Sequence, residues 1–298
     1  MEPFHLEILG QKKIKGLNSI YISNAKVNLG LRILNKRDDG YHNIESFFIE
    51  LDFHDSLIFK ESKKYSLTSS GYSVPNDETN IIFKAYEAIK PTKINNEFSI
   101  FLEKNIPIGS GLGGGSSNAA TTLKTLNKLW NLNYSNKKLL NLARKIGADV
   151  SFFISGGIQK VEGIGDILSP IKTTAFERKI FLLVIPNFSI STSWAYSEIK
   201  KYLSLDNNSA KFCSLDLSRN LKLFENVFEH VVVSTYPGIG DIKKILLSEG
   251  AIYSSLSGSG STVFGIFNDK VQAEIAASKF PSYKSIFSKI PNKDITLI

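Results

Sequence analysis

Residues 107–117, with the sequence Pro-Ile-Gly-Ser-Gly-Leu-Gly-Gly-Gly-Ser-Ser, have the composition and spacing of a site for phosphate groups. Glycine loses more conformational freedom on folding than any other residue, so a cluster of glycines is typical of backbone that bends sharply or approaches a ligand. Residues 118–130 carry apolar side chains at helical spacing, and Ser116 and Ser117 precede them as candidate helix caps. The pattern predicts a loop that passes through a serine cap into a helix.

Unpaired N–H groups at a helix N-terminus lie at the positive end of the helix dipole and bind phosphate. A flexible linker or a tight turn is the alternative, but linkers seldom adjoin a strongly periodic helix. The stretch is not a Walker loop, because Gly115 stands where that motif has lysine, and the next acidic residue, Asp149, is too distant for a dinucleotide fingerprint. The candidate phosphate-binding residues are Pro107, Gly109, Gly111, Leu112, Gly113, Gly114, Gly115, Ser116 and Ser117.

Lys26 and Asn28 lie two positions apart in a predicted strand. Residues 19–34 alternate, with apolar side chains on one face and these two polar side chains on the other. A lysine and an asparagine with this spacing can contact one ligand. A solvated polar face explains the same pattern, and periodicity leaves both explanations open.

Four further residues occupy positions where binding groups or helix caps are expected. Tyr41 and His42 follow a predicted turn at residues 35–40, at the edge of a second strand, although a half-exposed surface histidine is the plainer explanation for His42. Asn80 precedes a predicted helix over residues 81–89, and Asp149 precedes an apolar run. Capping a helix is the commonest role for an asparagine or aspartate in such a position.

Composition indicates a globular protein of two domains. A chain of 298 residues exceeds the usual single-domain length, and a change of texture near Thr174 predicts domains at residues 1–174 and 175–298. Cys213 is the single cysteine, which excludes an intramolecular disulfide framework and a zinc site built from cysteines. With no apolar run of membrane-spanning length and no targeting signal, the predicted location is the cytoplasm.

The formal net charge of +8 is compatible with nucleic acid, an anionic surface or small phosphorylated ligands. The lysines are spread along the chain without a basic helix or interleaved aromatic residues, so we interpret most of the excess as solvated surface. The sequence therefore predicts no nucleic-acid partner and no membrane association.

The string P-x-x-x-G-L-G-G-G-S-S at residues 107–117 closely resembles the phosphate-binding motif of the GHMP kinases. Residues 147–153, Gly-Ala-Asp-Val-Ser-Phe-Phe, resemble the segment that carries the catalytic aspartate of these enzymes, and residues 256–260, Leu-Ser-Gly-Ser-Gly, resemble their third motif. The Asp-Gly-Tyr-His string at residues 39–42 is similar to one branch of the superfamily, whose substrate carries cytidine diphosphate. Nearly the whole chain is covered by the resemblance.

The resemblance implies an α+β fold of two domains, with an N-terminal domain like ribosomal protein S5 domain 2, a C-terminal ferredoxin-like domain and the active site between them. It implies transfer of the γ-phosphoryl group of ATP, with Mg²⁺, to a hydroxyl group in the non-mevalonate route to isoprenoid precursors. Another GHMP kinase, for homoserine or mevalonate, and a non-catalytic nucleotide- or RNA-binding protein are the alternatives. A monomer or weak homodimer is expected.

The resemblance also implies a role for each matched residue. Asp149 is expected to be the general base, with Lys26 as its charged partner, and the glycine loop is expected to hold the phosphates of ATP. Asn24 departs from the pattern, because the family usually has proline there. The remaining implied contacts are Asn80 near the adenine, Ser117 at the metal, Asn28 at the substrate, and Tyr41, His42 and Tyr196 around the cytosine.

Overall fold

Two β-sheets with packed helices make up the part of the chain that the computed structural model describes, residues 19–38, 40, 42–93, 96–199, 217 and 221–291. The strands along these residues are β1 (Ile20–Lys36), β2 (His42–Ser62), β3 (Ser66–Gly71), β4 (Glu97–Lys104), β5 (Ile158–Glu162), β6 (Ile167–Pro170), β7 (Ile180–Ile185), β8 (Tyr253–Leu256), β9 (Val263–Phe267) and β10 (Lys284–Ser288). The helices are α1 (Ile81–Ile89), α2 (Gly114–Leu129), α3 (Asn136–Ile146), α4 (Val150–Ser155), α5 (Thr192–Ile199), α6 (Glu229–Thr235), α7 (Pro237–Ser248) and α8 (Lys270–Ala277).

The first sheet is built around the long hairpin of β1 and β2. Its strand order is β3-β4-β2-β5-β6, with β1 paired to β2 along the other edge, and only the β3–β4 pair is parallel within it. The sequence predicts two strands over residues 41–59, which is wrong, because β2 is continuous. A register shift between Asn24 and Ala25 leaves Asp52 and Phe53 without direct partners on β1, and this bulge interrupts the alternation.

The second sheet has the strand order β10-β7-β9-β8, with every neighbouring pair antiparallel. Along the chain the order is β7, helices α5 to α7, β8, β9, α8 and β10. This arrangement is the split βαβ unit of ferredoxin-like domains. The predicted α+β fold with a ferredoxin-like C-terminal unit is therefore confirmed. The predicted division at residue 174 stays a prediction.

A shared apolar cluster fixes the two sheets against each other. Leu29 and Phe47 of the first sheet pack in one cluster with Phe181 and Phe264 of the second, and all four side chains are buried. Burial of this kind contributes about 1.5–3 kcal/mol for each large apolar side chain. The β1–β2 hairpin is therefore held firmly beside the second sheet, where the loops of both units meet.

Two predicted helix starts are wrong. Helix α2 begins at Gly114 with Gly113 as its N-cap, so Ser116 and Ser117 lie in the first turn and cap nothing. The sequence also predicts a helix over residues 224–233, whereas α6 begins at Glu229, because Asn226 forms an isolated bridge with Leu31 of β1. Asn80 caps α1 and Ser135 caps α3, as the sequence predicts.

Candidate active site

Lys26 and Asp149 meet in the structure. Lys26 lies in the middle of β1, and its Nζ is 3.7 Å from Oδ2 of Asp149 and donates to Oδ1 of Asn28 at 2.6 Å. Lys26 is only 3% exposed and Asn28 1%. The polar face of β1 is therefore buried, which excludes a solvated face as its explanation.

Burial lowers the pKa of Lys26, and the neighbouring Asp149 carboxylate opposes that effect. The ammonium also lies 4.6 Å from the centre of the Phe48 ring, which further limits its contact with water. A cation held in so dry a position acts strongly on any charge that develops next to it.

Asp149 is not a capping residue, although it precedes α4. Its backbone already has helical angles, φ −72° and ψ −14°, and its side chain makes no capping hydrogen bond. The carboxylate is directed to Lys26 instead, and its side chain is 34% exposed. Asp149 is thus an accessible acceptor for a proton, held beside a buried cation.

The glycine loop adopts backbone that a side chain would not allow. Gly109, Gly111 and Gly113 all have positive φ. A Cβ on Gly111 would lie 2.0 Å from the carbonyl oxygen of Ser257, and one on Gly114 would lie 2.7 Å from Nζ of Lys104. The loop therefore needs glycine both for its conformation and for its close packing.

The open side of the loop carries the N–H groups at the start of α2. Gly115 is exposed and Ser116 half-exposed, and the first N–H groups of a helix have no partner within it. Pro107 accepts a hydrogen bond from Ser110 Oγ at 2.7 Å, which closes the entry turn of the loop. This surface can bind an anion.

The loop is joined directly to Lys26 and to the second glycine turn. The backbone N–H of Lys26 donates to the carbonyl of Leu112 at 2.9 Å. Ser257 Oγ donates to the carbonyl of Gly111 at 2.9 Å. A Cβ on Gly258 would lie 3.5 Å from Oδ1 of Asn28. The two glycine-rich turns and the Lys26 region therefore form one continuous site.

An aromatic pair lies close enough to Asp149 for the charge of its carboxylate to act on Tyr196. The rings of His42 and Tyr196 stack with centroids 5.6 Å apart and an interplanar angle of 28°. Burial raises the pKa of Tyr196 to about 12, with a further contribution from the charge of Asp149. The predicted cytosine contacts His42 and Tyr196 are thus brought together within reach of the Asp149 charge, whereas Tyr41 lies outside the described residues. Trp194 packs edge-on against Tyr236.

Two predicted ligand contacts already have protein partners. Asn80 Oδ1 accepts from the N–H of Ile82 at 2.8 Å, and its Nδ2 donates to the carbonyl of Pro75 at 2.7 Å. Ser117 is 2% exposed, and its Oγ accepts from Ser23 Oγ at 2.9 Å. Among the described residues, no three His, Cys, Asp or Glu side chains are grouped as a metal site.

Sequence reasoning missed a buried ion pair beneath the loop. The Lys104 ammonium donates to Oδ2 of Asp55 at 2.5 Å, and Oδ1 of Asp55 accepts from the N–H groups of Asn105 and Ile106, each at 2.8 Å. Asn118 of α2 donates to the same carboxylate at 2.9 Å. The only sequence signal is an acidic residue within an apolar strand, which an exposed strand edge explains equally well.

Comparisons with known proteins agree with this geometry. The model of the GHMP kinases N terminal domain matches residues 80–157, and the model of the GHMP kinases C terminal matches residues 210–285. The first match spans the glycine loop and Asp149. No helix among the described residues is long and apolar enough to cross a membrane. The chain is a GHMP kinase.

The similar individual proteins carry a more specific name than the family models do. A 4-diphosphocytidyl-2-C-methyl-D-erythritol kinase of Thermodesulfovibrio yellowstonii is 42% identical, over 87% of this chain and 93% of the relative. One of Chlorobium chlorochromatii is 40% identical, over 87% and 91%. A crystal structure of 4-(cytidine 5'-diphospho)-2C-methyl-D-erythritol kinase matches with a TM-score of 0.77 and 26% identity, over 92% of this chain and 99% of that one. This chain belongs to the 4-diphosphocytidyl-2-C-methyl-D-erythritol kinase family.

Proposed function

We propose that this protein transfers the γ-phosphoryl group of ATP to the 2-hydroxyl of 4-diphosphocytidyl-2-C-methyl-D-erythritol. One observation carries the proposal: the Lys26–Asp149 pair, at 3.7 Å, is linked on one side to the glycine loop, where Leu112 accepts from the Lys26 N–H, and on the other to Tyr196 of the aromatic pair, whose pKa responds to the Asp149 charge. A phosphoryl donor on the loop and a pyrimidine at the aromatic pair would both be adjacent to one base. The names of the relatives supply the identity of the acceptor.

The loop residues fit the triphosphate of ATP. The positive φ of Gly113 and the lack of room for a Cβ at Gly111 and Gly114 make a cradle that only backbone can line. The N–H groups of Gly114, Gly115 and Ser116 are the donors that would hold the phosphates. Asn80 would contribute to the adenine site from the start of α1 while it caps that helix.

The residues present also fit Mg²⁺ bound mainly through phosphate oxygens. Mg²⁺ commonly retains several waters and takes few protein ligands beside substrate phosphates, so the lack of a grouped carboxylate site among the described residues is compatible with it. When bound, Mg²⁺ neutralises charge on the phosphates during transfer. Ser117 stays the predicted ligand through a free lone pair, and Ser116, three residues after the N-cap Gly113, offers a more exposed hydroxyl beside it.

The protein would have to place the 2-hydroxyl of the substrate and remove its proton. Asp149 would accept the proton as the 2-oxygen forms a bond to the γ-phosphorus, and the bond from that phosphorus to the bridging oxygen breaks to release ADP. Lys26 would hold the Asp149 carboxylate and stabilise negative charge near the transferred group. Asn28 holds the ammonium in place, because its Oδ1 accepts from Nζ at 2.6 Å.

The aromatic pair would bind the cytosine. A tyrosine ring can stack on a pyrimidine face, and a histidine ring can donate or accept at its edge. His42 and Tyr196 would act in this way, with Tyr41 on the opposite face of the base. We further propose that the protein acts in the cytoplasm as a monomer or weak homodimer without a nucleic-acid partner, with its two domains divided near residue 174.

Substrate comparison tests this function directly. ADP release would be followed with purified protein, Mg-ATP and one of three acceptors: 4-diphosphocytidyl-2-C-methyl-D-erythritol, homoserine or mevalonate. We expect turnover with the first acceptor alone, with the product carrying one additional phosphate at the 2-oxygen by ³¹P NMR. Faster turnover of homoserine or mevalonate, or a product phosphorylated at another oxygen, would contradict the proposal.

A further inference from the structure

Glu50 makes hydrogen bonds to Gly157 and Asn24 next to the Lys26–Asp149 pair, and these bonds are called the Glu50 clamp. It lies on β2 directly opposite Lys26 in the β1–β2 ladder. Its Oε2 accepts from the N–H of Gly157 at 2.6 Å, and its own N–H donates to the carbonyl of Gly157 at 2.9 Å. Its Oε1 accepts from Nδ2 of Asn24 at 2.8 Å. Asn24, where the family usually has proline, thus orients the Glu50 carboxylate.

The clamp grips the carboxyl end of α4. Gly156 ends this helix with φ +66°, and a Cβ there would lie 2.4 Å from Oε2 of Glu50. The freed carbonyls at this end also have partners: Lys124 Nζ donates to the carbonyl of Phe153 at 3.0 Å, and Gln159 Nε2 donates to that of Gly156 at 2.8 Å. Donors near a helix C-terminus stabilise its last carbonyls.

The amino end of the same helix carries Asp149. Helix α4 has six residues, so it spans only about 9 Å, and Asp149 moves with it because its backbone is helical. The side chain of Asp149 makes no capping bond that would hold it in another position. A displacement of the clamped end is therefore transmitted to the carboxylate, while Lys26 stays on β1.

We propose that Glu50, oriented by Asn24, is a positioning residue that sets the Asp149 carboxylate against Lys26 through α4. Because β2 carries Glu50 and pairs with the strand that carries Lys26, the clamp fixes both members of the catalytic pair to one hairpin. The inference rests on the proposed function of Asp149 as the base. The glycine loop is not held by this clamp.

Glu50→Ala removes both side-chain bonds. Since a misplacement of about 1 Å can reduce catalysis about 100-fold, we expect kcat to fall by about 10- to 100-fold. KM for ATP should stay within about threefold of wild type, because the loop keeps its contacts. Glu50→Gln retains an acceptor for the Gly157 N–H, and the Asn24 amide can turn to accept from it. This conservative variant should restore kcat to within about threefold of wild type.

Asp52→Ala is the matched control. Asp52 also lies on β2. Its Oδ1 accepts from Ser288 Oγ at 2.7 Å and from the N–H of Lys289 at 2.9 Å, and neither of these partners belongs to α4. Asp52→Ala should lower thermal stability without lowering kcat. If Glu50→Ala does not fold, Asn24→Ala leaves the Gly157 bond intact and should lower kcat by about threefold. Equal loss of kcat in the Asp52 and Glu50 variants would overturn the inference.

A titration of Lys26 by NMR gives a readout that does not need turnover. Asp149 raises the pKa of Lys26 against the effect of burial, so a carboxylate that moves away should lower this pKa further in Glu50→Ala than in wild type. An unchanged Lys26 titration together with unchanged kcat would show that Glu50 is only structural. Wild-type protein without turnover would count against the proposed function alone, since the titration tests the position of Asp149 independently.

Discussion

Replacing Lys26 with methionine should separate catalysis from stability. Methionine keeps an unbranched apolar side chain against the Phe48 ring, and it removes the charge that lies 3.7 Å from Asp149. At an effective dielectric constant of about 20, two unit charges at this distance attract by about 4.5 kcal/mol. The 34% exposure of Asp149 reduces that figure through solvent screening. Loss of one hydrogen-bond donor that stabilises transition-state charge costs about 2.7–4 kcal/mol, so we expect kcat to fall about 10²- to 10³-fold.

The thermal stability of Lys26→Met should not fall along with its kcat. The pKa of Lys26 in the folded protein is below its ordinary value of 10.5, chiefly because of burial, so the proton binds more tightly in the unfolded chain. The charge therefore opposes folding at neutral pH, and its contribution to stability rises with pH between the folded and unfolded pKa values. Removing the charge should leave the thermal midpoint equal to or above that of wild type, because Asp149 retains contact with water.

Lys160→Met provides the control for this prediction. Lys160 pairs with Glu162 at 2.9 Å and Glu45 at 3.4 Å, and these partners outweigh its burial and raise its pKa. Its removal should lower the thermal midpoint and leave kcat near that of wild type. Coupled ADP release and differential scanning calorimetry would measure both variants. A kcat of Lys26→Met within about threefold of wild type, or a thermal midpoint as low as that of the control, would contradict the role given to the Lys26 charge.

Three further outcomes follow from the same geometry. Gly113→Ala places a Cβ 3.0 Å from the Phe153 ring and 3.1 Å from Cγ of Lys26 at φ +71°, so KM for ATP should rise and kcat fall, each by about tenfold or more, in steady-state assays. The alkaline limb of the kcat–pH profile should lie below pH 10.5 because burial lowers the pKa of Lys26; a limb at or above that value would contradict this. Tyr196→Ala should raise KM for the cytidine substrate about tenfold with KM for ATP unchanged, since base stacking contributes about 1–3 kcal/mol, whereas Tyr196→Phe should not.

Elements with one apolar face and a local cap are predictable from the sequence. Helices α1 and α3 begin after Asn80 and Ser135, whose side chains accept from backbone N–H groups at 2.8 and 3.4 Å. In both cases the capping bond and the apolar spacing are determined by residues within a few positions of each other. Tertiary packing does not move these two helix starts, because no long-range contact competes with the local capping bonds.

The start of α2 is not predictable in the same way. Gly114 and Gly115 are poor helix formers, so propensity places the start at the serines that follow. The helix begins at Gly114, close against Lys104 and Ile106, and this packing leaves no room for a Cβ, so a poor helix former has to occupy the first position. Tertiary packing therefore decides this boundary.

The pairing of Lys26 with Asp149 depends on contacts that periodicity does not encode. Alternation in β1 identifies Lys26 and Asn28 as neighbours on one face, and the structure adds that this face is buried. The 3.7 Å contact with Asp149 joins β1 to α4, elements far apart in sequence, and only the family resemblance pairs them in advance. The partners of Glu50 and Asp55 cannot be predicted in this way, because the sequence around a charged residue in an apolar strand does not indicate which residue it will contact.

We propose that Asp149 takes the proton of the substrate hydroxyl beside Lys26. ADP release from Mg-ATP and 4-diphosphocytidyl-2-C-methyl-D-erythritol should be measured with wild-type protein and Asp149→Asn side by side. Asparagine keeps the size of the side chain and cannot accept the proton, so kcat should fall by about 10²- to 10⁴-fold while KM for ATP stays near that of wild type. Turnover of Asp149→Asn within about threefold of wild type would contradict the account.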